Sequence, residues 1–160
     1  MKFATPLYNG VGGVFGLDPM QWSFYYENAK ETPLPQLENL SPREAMIWLS
    51  EEVMKPNFGQ DVFGRNFVHR ARAESGQRFA VSDSGFVTEA QAVLDQFGAA
   101  NCLLIRIERP GHSFEADSRS YISLPCTTID LCNDRDLDAL KNRVCEVANR
   151  FYYNDMEHCA

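Results

Sequence analysis

At 160 residues, with 44% apolar and 23% charged residues, the chain has the composition of a globular protein large enough to bury a core without staples. A net charge of −7 argues against direct, broad binding to nucleic acid, although not against a local basic pocket for a phosphate. No run approaches transmembrane length, Met1 to Pro6 lack signal-peptide character, and the five cysteines form no CxxC pair, which together point to reduced thiols in a cytoplasmic protein.

In chain order, Phe3-Ala4 reads as a short strand, and Pro6 opens a helix through Val11, Val14 and Phe15. Gly10, Gly12 and Gly13 weaken that helix and invite a phosphate-loop reading. The spacing fails, because Gly16 is followed by Leu17-Asp18 where GxxxxGK[ST] needs a lysine and a hydroxyl. GxGxxG fails too, since its third glycine position is Phe15. Close helix packing is the better account of these glycines. Trp22, Phe24, Tyr25 and Tyr26 follow, as core packing with one amphipathic edge or as a sandwich for a base.

Ser41-Pro42-Arg43-Glu44 is the clearest helix start: Ser41 caps, Pro42 takes the first helical position, and Glu44 closes a capping box. Ala45, Trp48, Leu49 and Val53 form the expected buried stripe. Arg43 lies in the first turn, where a cation is unfavourable against the helix dipole. Its anionic partner is either a nearby glutamate or a ligand phosphate. Lys55-Pro56-Asn57-Phe58-Gly59 should break the helix, and a second should span Val62 to Ala73. Arg65, His69, Arg70 and Arg72 make that helix the most basic part of the chain, as a solvated face or as a cluster suited to a phosphate near Asp83.

Arg78 to Glu108 is the organising stretch. Phe79 to Val81 reads as a strand ending in the turn Ser82-Asp83-Ser84-Gly85, and Thr88 with Gln91 can form a capping box. Ala90, Val93, Leu94 and Phe97 share one helical face, Gly98 stops the helix, and Cys102 to Ile107 is an apolar strand of the doubly covered kind. The pattern is a βαβ unit, and ligands gather at the carboxyl ends of such strands, which makes Ser82 and Asp83 candidate site residues.

The polar loop from Arg109 to Tyr121 is either an exposed connection or a lid for a charged substrate. Thr127 to Leu131 reads as another strand. Asn133 with Asp136 can cap a final helix lined by Leu137, Leu140, Val144, Val147 and Phe151, and residues 154–160 form a loose tail. Residues 1–153 are expected to make one α/β domain.

Several stretches together resemble the deoxynucleoside monophosphate kinases of bacteriophages, which have the P-loop kinase fold. They are KFATPL with FGLDP, ETPLPQLENLSPREAMIWLSEE, VSDSGFVTEA, LLIRIERPG, FEADSRSYI and IDLCNDRDLDAL, in family order over most of the chain. The resemblance implies a three-layer α/β fold, a parallel sheet with helices on both faces. It implies that Arg43 meets a monophosphate substrate, and that Asp83 stands near the phosphates and a magnesium ion. Asp117, Ser118, Arg119 and Tyr121 correspond to the lid segment, with Arg119 placed to stabilise the transferring phosphoryl group. Asn133 and Asp134 correspond to the motif beside the base. Arg65 and Arg70 complete the expected substrate-binding set.

Two departures matter. Asp83-Ser84-Gly85-Phe86 has glycine where many relatives carry the arginine of D-x-R-F. The chain also begins where the family's second strand is expected, without the first strand or the Walker loop that supply phosphate donors, a lysine and a magnesium-holding hydroxyl. A catalytically impaired module that binds a nucleotide or a host protein is therefore the first expectation. Either the strands near 80 and 105 pair directly, or something else fills the vacated sheet position, such as a segment of another chain in a homodimer or a host partner. The alternatives are an active kinase using magnesium and ATP with Asp83 and Arg119 as catalytic residues, and a truncated product of a longer gene. No membrane association is expected.

Overall fold

Prolines and returning side chains start the first helices. Asp18 accepts the N–H groups of Met20 and Gln21 at 2.9 and 3.0 Å, Gln21 reaches back to Asp18 N–H, and Pro19 takes the first helical position. Ser41 and Glu44 form the same reciprocal box around Pro42, with Glu44 Oε2 accepting Ser41 N–H at 2.8 Å. The computed structural model describes residues 1–74, 77–114 and 120–157. They fall into two compact units, Met1–Ser84 and Gly85–Ala160.

The first unit is helical: α1 (Thr5–Val14), α2 (Pro19–Asn28), α3 (Pro42–Trp48), α4 (Lys55–Phe58) and α5 (Val62–Ala73). Phe3, Val11, Trp22, Leu37, Ala45, Phe63 and Phe67 are buried at its centre. Phe67 meets Phe3 and Phe79 edge-on, at ring-centroid distances of 5.5 and 6.0 Å. Tyr8, Trp22 and Tyr26 form a second ring cluster, so Trp22 and Tyr26 serve the packing alternative, while Phe24 stays exposed against Tyr25. Gly12 is the glycine that this packing requires, since a Cβ there would lie 3.1 Å from the Trp22 ring. Within the expected α3 stripe, Ala45 and Leu49 are buried, whereas Trp48 remains 38% exposed and leans on Phe15.

Several local expectations fail in this unit for identifiable reasons. Phe3-Ala4 and Phe79 to Val81 are not strands, because neither segment pairs in a ladder; both lie in irregular backbone. The helix does end within the Lys55–Gly59 stretch, at Phe58, but it passes through Pro56 before doing so. It widens into a π-helical stretch, Leu49–Met54, before α4 continues through the proline. Proline cannot donate to the helical ladder, and a π turn absorbs that defect without ending the helix. Asn57 Nδ2 donates to Val53 O at 2.7 Å, satisfying one carbonyl there, and Gly59 at φ +96° stops the helix. Helix α5 has the predicted bounds, with Val62, Phe63, Phe67, Val68 and Ala71 buried on one side.

The second unit is α/β: α6 (Val87–Phe97), β1 (Leu103–Glu108), β2 (Thr127–Cys132) and α7 (Leu137–Glu157). Strands β1 and β2 are parallel, with Leu103 opposite Thr127 and Glu108 opposite Cys132. Among the described residues the sheet has these two strands. The pleat places Leu103, Ile105, Ile107, Ile129 and Leu131 on one face, and Arg106 opposite Asp130 on the other. Arg106 donates to both Asp130 oxygens, at 2.5 and 2.7 Å. The doubly covered strand expected at Cys102 to Ile107 is therefore only half-covered, with Ile107 42% exposed. Helix α7 packs on both strands.

Helix starts differ here too. Helix α6 begins after Phe86 without a side-chain cap, so Thr88 lies inside the first turn rather than at the cap. At α7, Asp136 alone accepts Ala139 N–H, at 2.8 Å, while Asn133 N–H continues the strand ladder to Glu108 O at 2.6 Å. Leu137 is 65% exposed and outside the expected stripe, and α7 extends to Glu157, through part of the expected loose tail.

Candidate functional site

In the second unit, Glu108 and Cys132 end the two parallel strands side by side. Beyond them the backbone reverses in a turn, with His112 N–H donating to Arg109 O at 3.1 Å. Pro110 and Gly111 occupy its centre, Gly111 at φ +76°, the residue choice of a type II turn. That turn opens a cleft of 540 Å³ at the carboxyl edge of the strands. The opening is lined by Glu108, Arg109, Pro110, His112, Ser113, Phe114, Ser120, Tyr121 and Cys132.

Two aromatic rings shape one wall. Phe114 and Tyr121 meet edge-on with centroids 4.9 Å apart, and Tyr121 Oη donates to Ile107 O at 3.1 Å. That bond fixes the ring against β1 while 41% of the residue stays exposed. Arg109, His112, Ser113 and Ser120 bring donors to the same opening. Asn133 and Asp134 follow the end of β2 directly. Arg143, reaching from α7, donates to Cys132 O at 2.6 Å and lies 3.4 Å from Asp134 Oδ1, so the helix holds this strand end in place. The sequence signal that could have found Arg143 is weak: one cation on a helix that follows an acidic loop.

The expected site residues of the first unit are engaged elsewhere. Asp83 Oδ1 accepts Phe3 N–H and Oδ2 accepts Ala4 N–H, each at 3.0 Å. The carboxylate thus sits at the amino end of α1, which has no local side-chain cap, where a negative charge is favoured. A magnesium ion at Asp83 would compete with two N–H donors for those oxygens. Arg70 Nη2 donates to Lys2 O at 2.7 Å, beside the same segment, and Arg70 Nε is buried without a hydrogen-bond partner among the described residues. Ser82 is exposed.

Arg43 pairs with Glu31 at 2.7 Å on the surface, so the nearby-glutamate alternative accounts for its place in the first turn of α3. Arg65 pairs with Asp61 and donates to Phe58 O at 2.5 Å, closing the end of α4. The structure therefore gathers Arg70 and Asp83 around residues 2–4, and separately gathers Tyr121, Asn133 and Asp134 around the strand ends. Asp117, Ser118 and Arg119 lie outside the described residues.

Among the described residues four groups have shifted protonation, Arg106 being raised by its hydrogen bond to Asp130. Hydrogen bonds from Ser41, backbone first and hydroxyl second, hold the Glu44 carboxyl below its ordinary value. The Arg106 hydrogen bonds lower Asp130. Burial, then the neighbouring Cys126, pushes the Cys102 thiol up. None of the four lines the cleft. No family model, no curated protein and no solved structure matches the chain.

Proposed function

We propose that the protein is a nucleotide-binding module, a deoxynucleoside monophosphate kinase-like α/β fold with impaired catalysis, and that the cleft at the ends of β1 and β2 takes the nucleotide. The observation that carries this reading is the pairing of the Phe114–Tyr121 ring wall with Arg109 and His112 in one opening. A base stacks on an exposed aromatic ring, and a guanidinium matches phosphate oxygens in a bidentate fork. The volume of 540 Å³ falls within the roughly 300–1,000 Å³ of small-ligand sites. Location also favours it, since ligands of parallel α/β sheets bind outside the carboxyl ends of the strands. Asn133 and Asp134, beside the base in the kinases that the sequence resembles, stand at this edge.

The engagement of Asp83 with α1 and of Arg43 with Glu31 favours binding without efficient phosphoryl transfer. Thermal unfolding with each deoxynucleoside monophosphate, and with ATP and magnesium, tests the proposal. A monophosphate at about a hundred times its dissociation constant stabilises by about 2.7 kcal/mol, or about 5–10 °C for a chain of this size. A shift with monophosphate alone supports the binding module. A shift with ATP as well, followed by turnover in a coupled assay, would establish the active kinase instead. No shift with any nucleotide rejects both and leaves a host-protein-binding fold.

A further inference from the structure

We propose that Cys102 and Cys126 form a reversible disulfide that ties together the amino ends of β1 and β2. The register pairs Leu103 with Thr127, so Cys102 and Cys126 are the next residues outward on the two strands. Cys102 keeps extended backbone at φ −118° and ψ 127°, which carries the strand geometry one residue beyond β1. Alternation carried back from β1 puts Cys102 on the face of Arg106 and Asp130, while Cys126 closes a turn directly before β2, its N–H donating to Leu124 O at 2.8 Å. Neighbouring strands lie about 4.8 Å apart, inside the roughly 4.4–6.8 Å Cα separation that a disulfide accepts. Both thiols are free and half-buried, and Cys126 acts electrostatically on Cys102. Cys132, at the far end of β2, is separated from this pair by the length of a six-residue strand, about 20 Å.

The chemistry is thiol–disulfide exchange with a low-molecular-weight disulfide such as oxidised glutathione. Burial raises the Cys102 thiol, which disfavours it as the first nucleophile, so the step is written with Cys126 attacking first. The Cys126 thiolate displaces one small thiolate and forms a mixed disulfide. Cys102, losing its proton, then attacks the Cys126 sulfur and displaces the second. Two small thiols are released, carrying away the two protons and two electrons of the pair. The closed segment carries all the cleft residues except Cys132, so the bond restrains the loop that forms the opening. None of this depends on which ligand the cleft takes.

The test uses the full chain with Cys132, Cys145 and Cys159 replaced by serine, equilibrated with excess oxidised glutathione. Alkylation, trypsin digestion and mass spectrometry should recover a peptide linked through Cys102 and Cys126. The intact protein should lose two hydrogens and remain monomeric on a non-reducing gel. Its unfolding midpoint should rise by about 5–10 °C and fall back with dithiothreitol. Cys126→Ser and, separately, Cys102→Ala should each abolish the linked peptide and the rise while still accepting one glutathione. Glutathione adducts on both cysteines without a link, a disulfide between two chains, or a link without added stability would overturn the proposal.

Discussion

Asp83 Oδ2 accepts the backbone N–H of Ala4 at 3.0 Å across 79 residues of sequence, while Oδ1 takes Phe3 N–H at the same distance. One carboxylate therefore holds the two backbone N–H groups that lead into α1, where the helix has no local side-chain cap. Asp83→Ala should lower the stability of the first unit by about 1–3 kcal/mol, the cost of two unsatisfied donors near a helix start. Asp83→Asn, which retains one acceptor oxygen, should cost less. Urea unfolding measures both. Equal stability of Asp83→Ala and the parent would remove that role.

Gly12 and Gly13 are adjacent in α1 yet should respond oppositely to alanine. A Cβ at Gly12 would lie 3.1 Å from the Trp22 ring, which is only 2% exposed and has no room to retreat. At Gly13 a Cβ meets nothing within 4 Å. Gly12→Ala should destabilise by about 1–2 kcal/mol through overpacking. Gly13→Ala should stabilise by about 0.5–1 kcal/mol through helix propensity. Denaturation midpoints of the two variants, compared on one curve, decide the matter. The same sign for both would contradict the packing account.

Glu44 and Asp130 both carry lowered carboxyl pKa values in the folded protein, through Ser41 and Arg106 respectively. A depressed folded value means that the unfolded chain takes up protons first. Their stabilising contribution is present above the ordinary values of 4.5 and 3.8, and is lost as the pH falls through the lower folded values. Acid titration of stability should therefore be less steep in Glu44→Gln and in Asp130→Asn than in the parent below about pH 4.5. An unchanged slope in both variants would show that neither carboxylate is linked to acid unfolding.

Arg109 and Tyr121 test the cleft. Arg109→Ala should weaken binding of a nucleoside monophosphate by about 1.5–3 kcal/mol, the range of a charge-assisted hydrogen bond. Tyr121→Phe should leave most of the affinity, because the hydroxyl is engaged with Ile107 O, whereas Tyr121→Ala should remove about 1–3 kcal/mol. Calorimetry gives each value directly. Full affinity in Arg109→Ala would move the phosphate elsewhere.

Arg43 supplies the contrast. Its ion pair with Glu31 is exposed on both sides, with 48% and 63% of the side chains accessible, so Arg43→Ala should change stability by less than about 1 kcal/mol. Weakened nucleotide binding in that variant would return Arg43 to the site.

Local chemistry was legible in several places where the partners lie within a few residues, although the Asp18–Gln21 capping box went unread and Thr88 does not cap α6. Ser41, Pro42 and Glu44 announce their capping box, Val62 to Ala73 shows its helical spacing, and Thr127 to Leu131 shows its strand, because each signal is contained in one turn or one pleat. Residues just as conspicuous misled where the competing interaction is distant. Asn133 resembles a cap, but its N–H belongs to Glu108 once β2 lies beside β1. Pro56 resembles a breaker, but a π turn upstream absorbs it.

From the chain alone come α1, α3, α5, α6 and α7, the strands β1 and β2 and the polar segments that border the cleft, since propensity, capping and alternation act between neighbours. Only the tertiary structure decides that Asp83 anchors Phe3 and Ala4, that Arg143 clamps the end of β2, and that Cys102 comes to stand beside Cys126. A side chain with several available partners takes the one that folding brings within about 3 Å, and that choice is made by the path of the chain rather than by the residue itself.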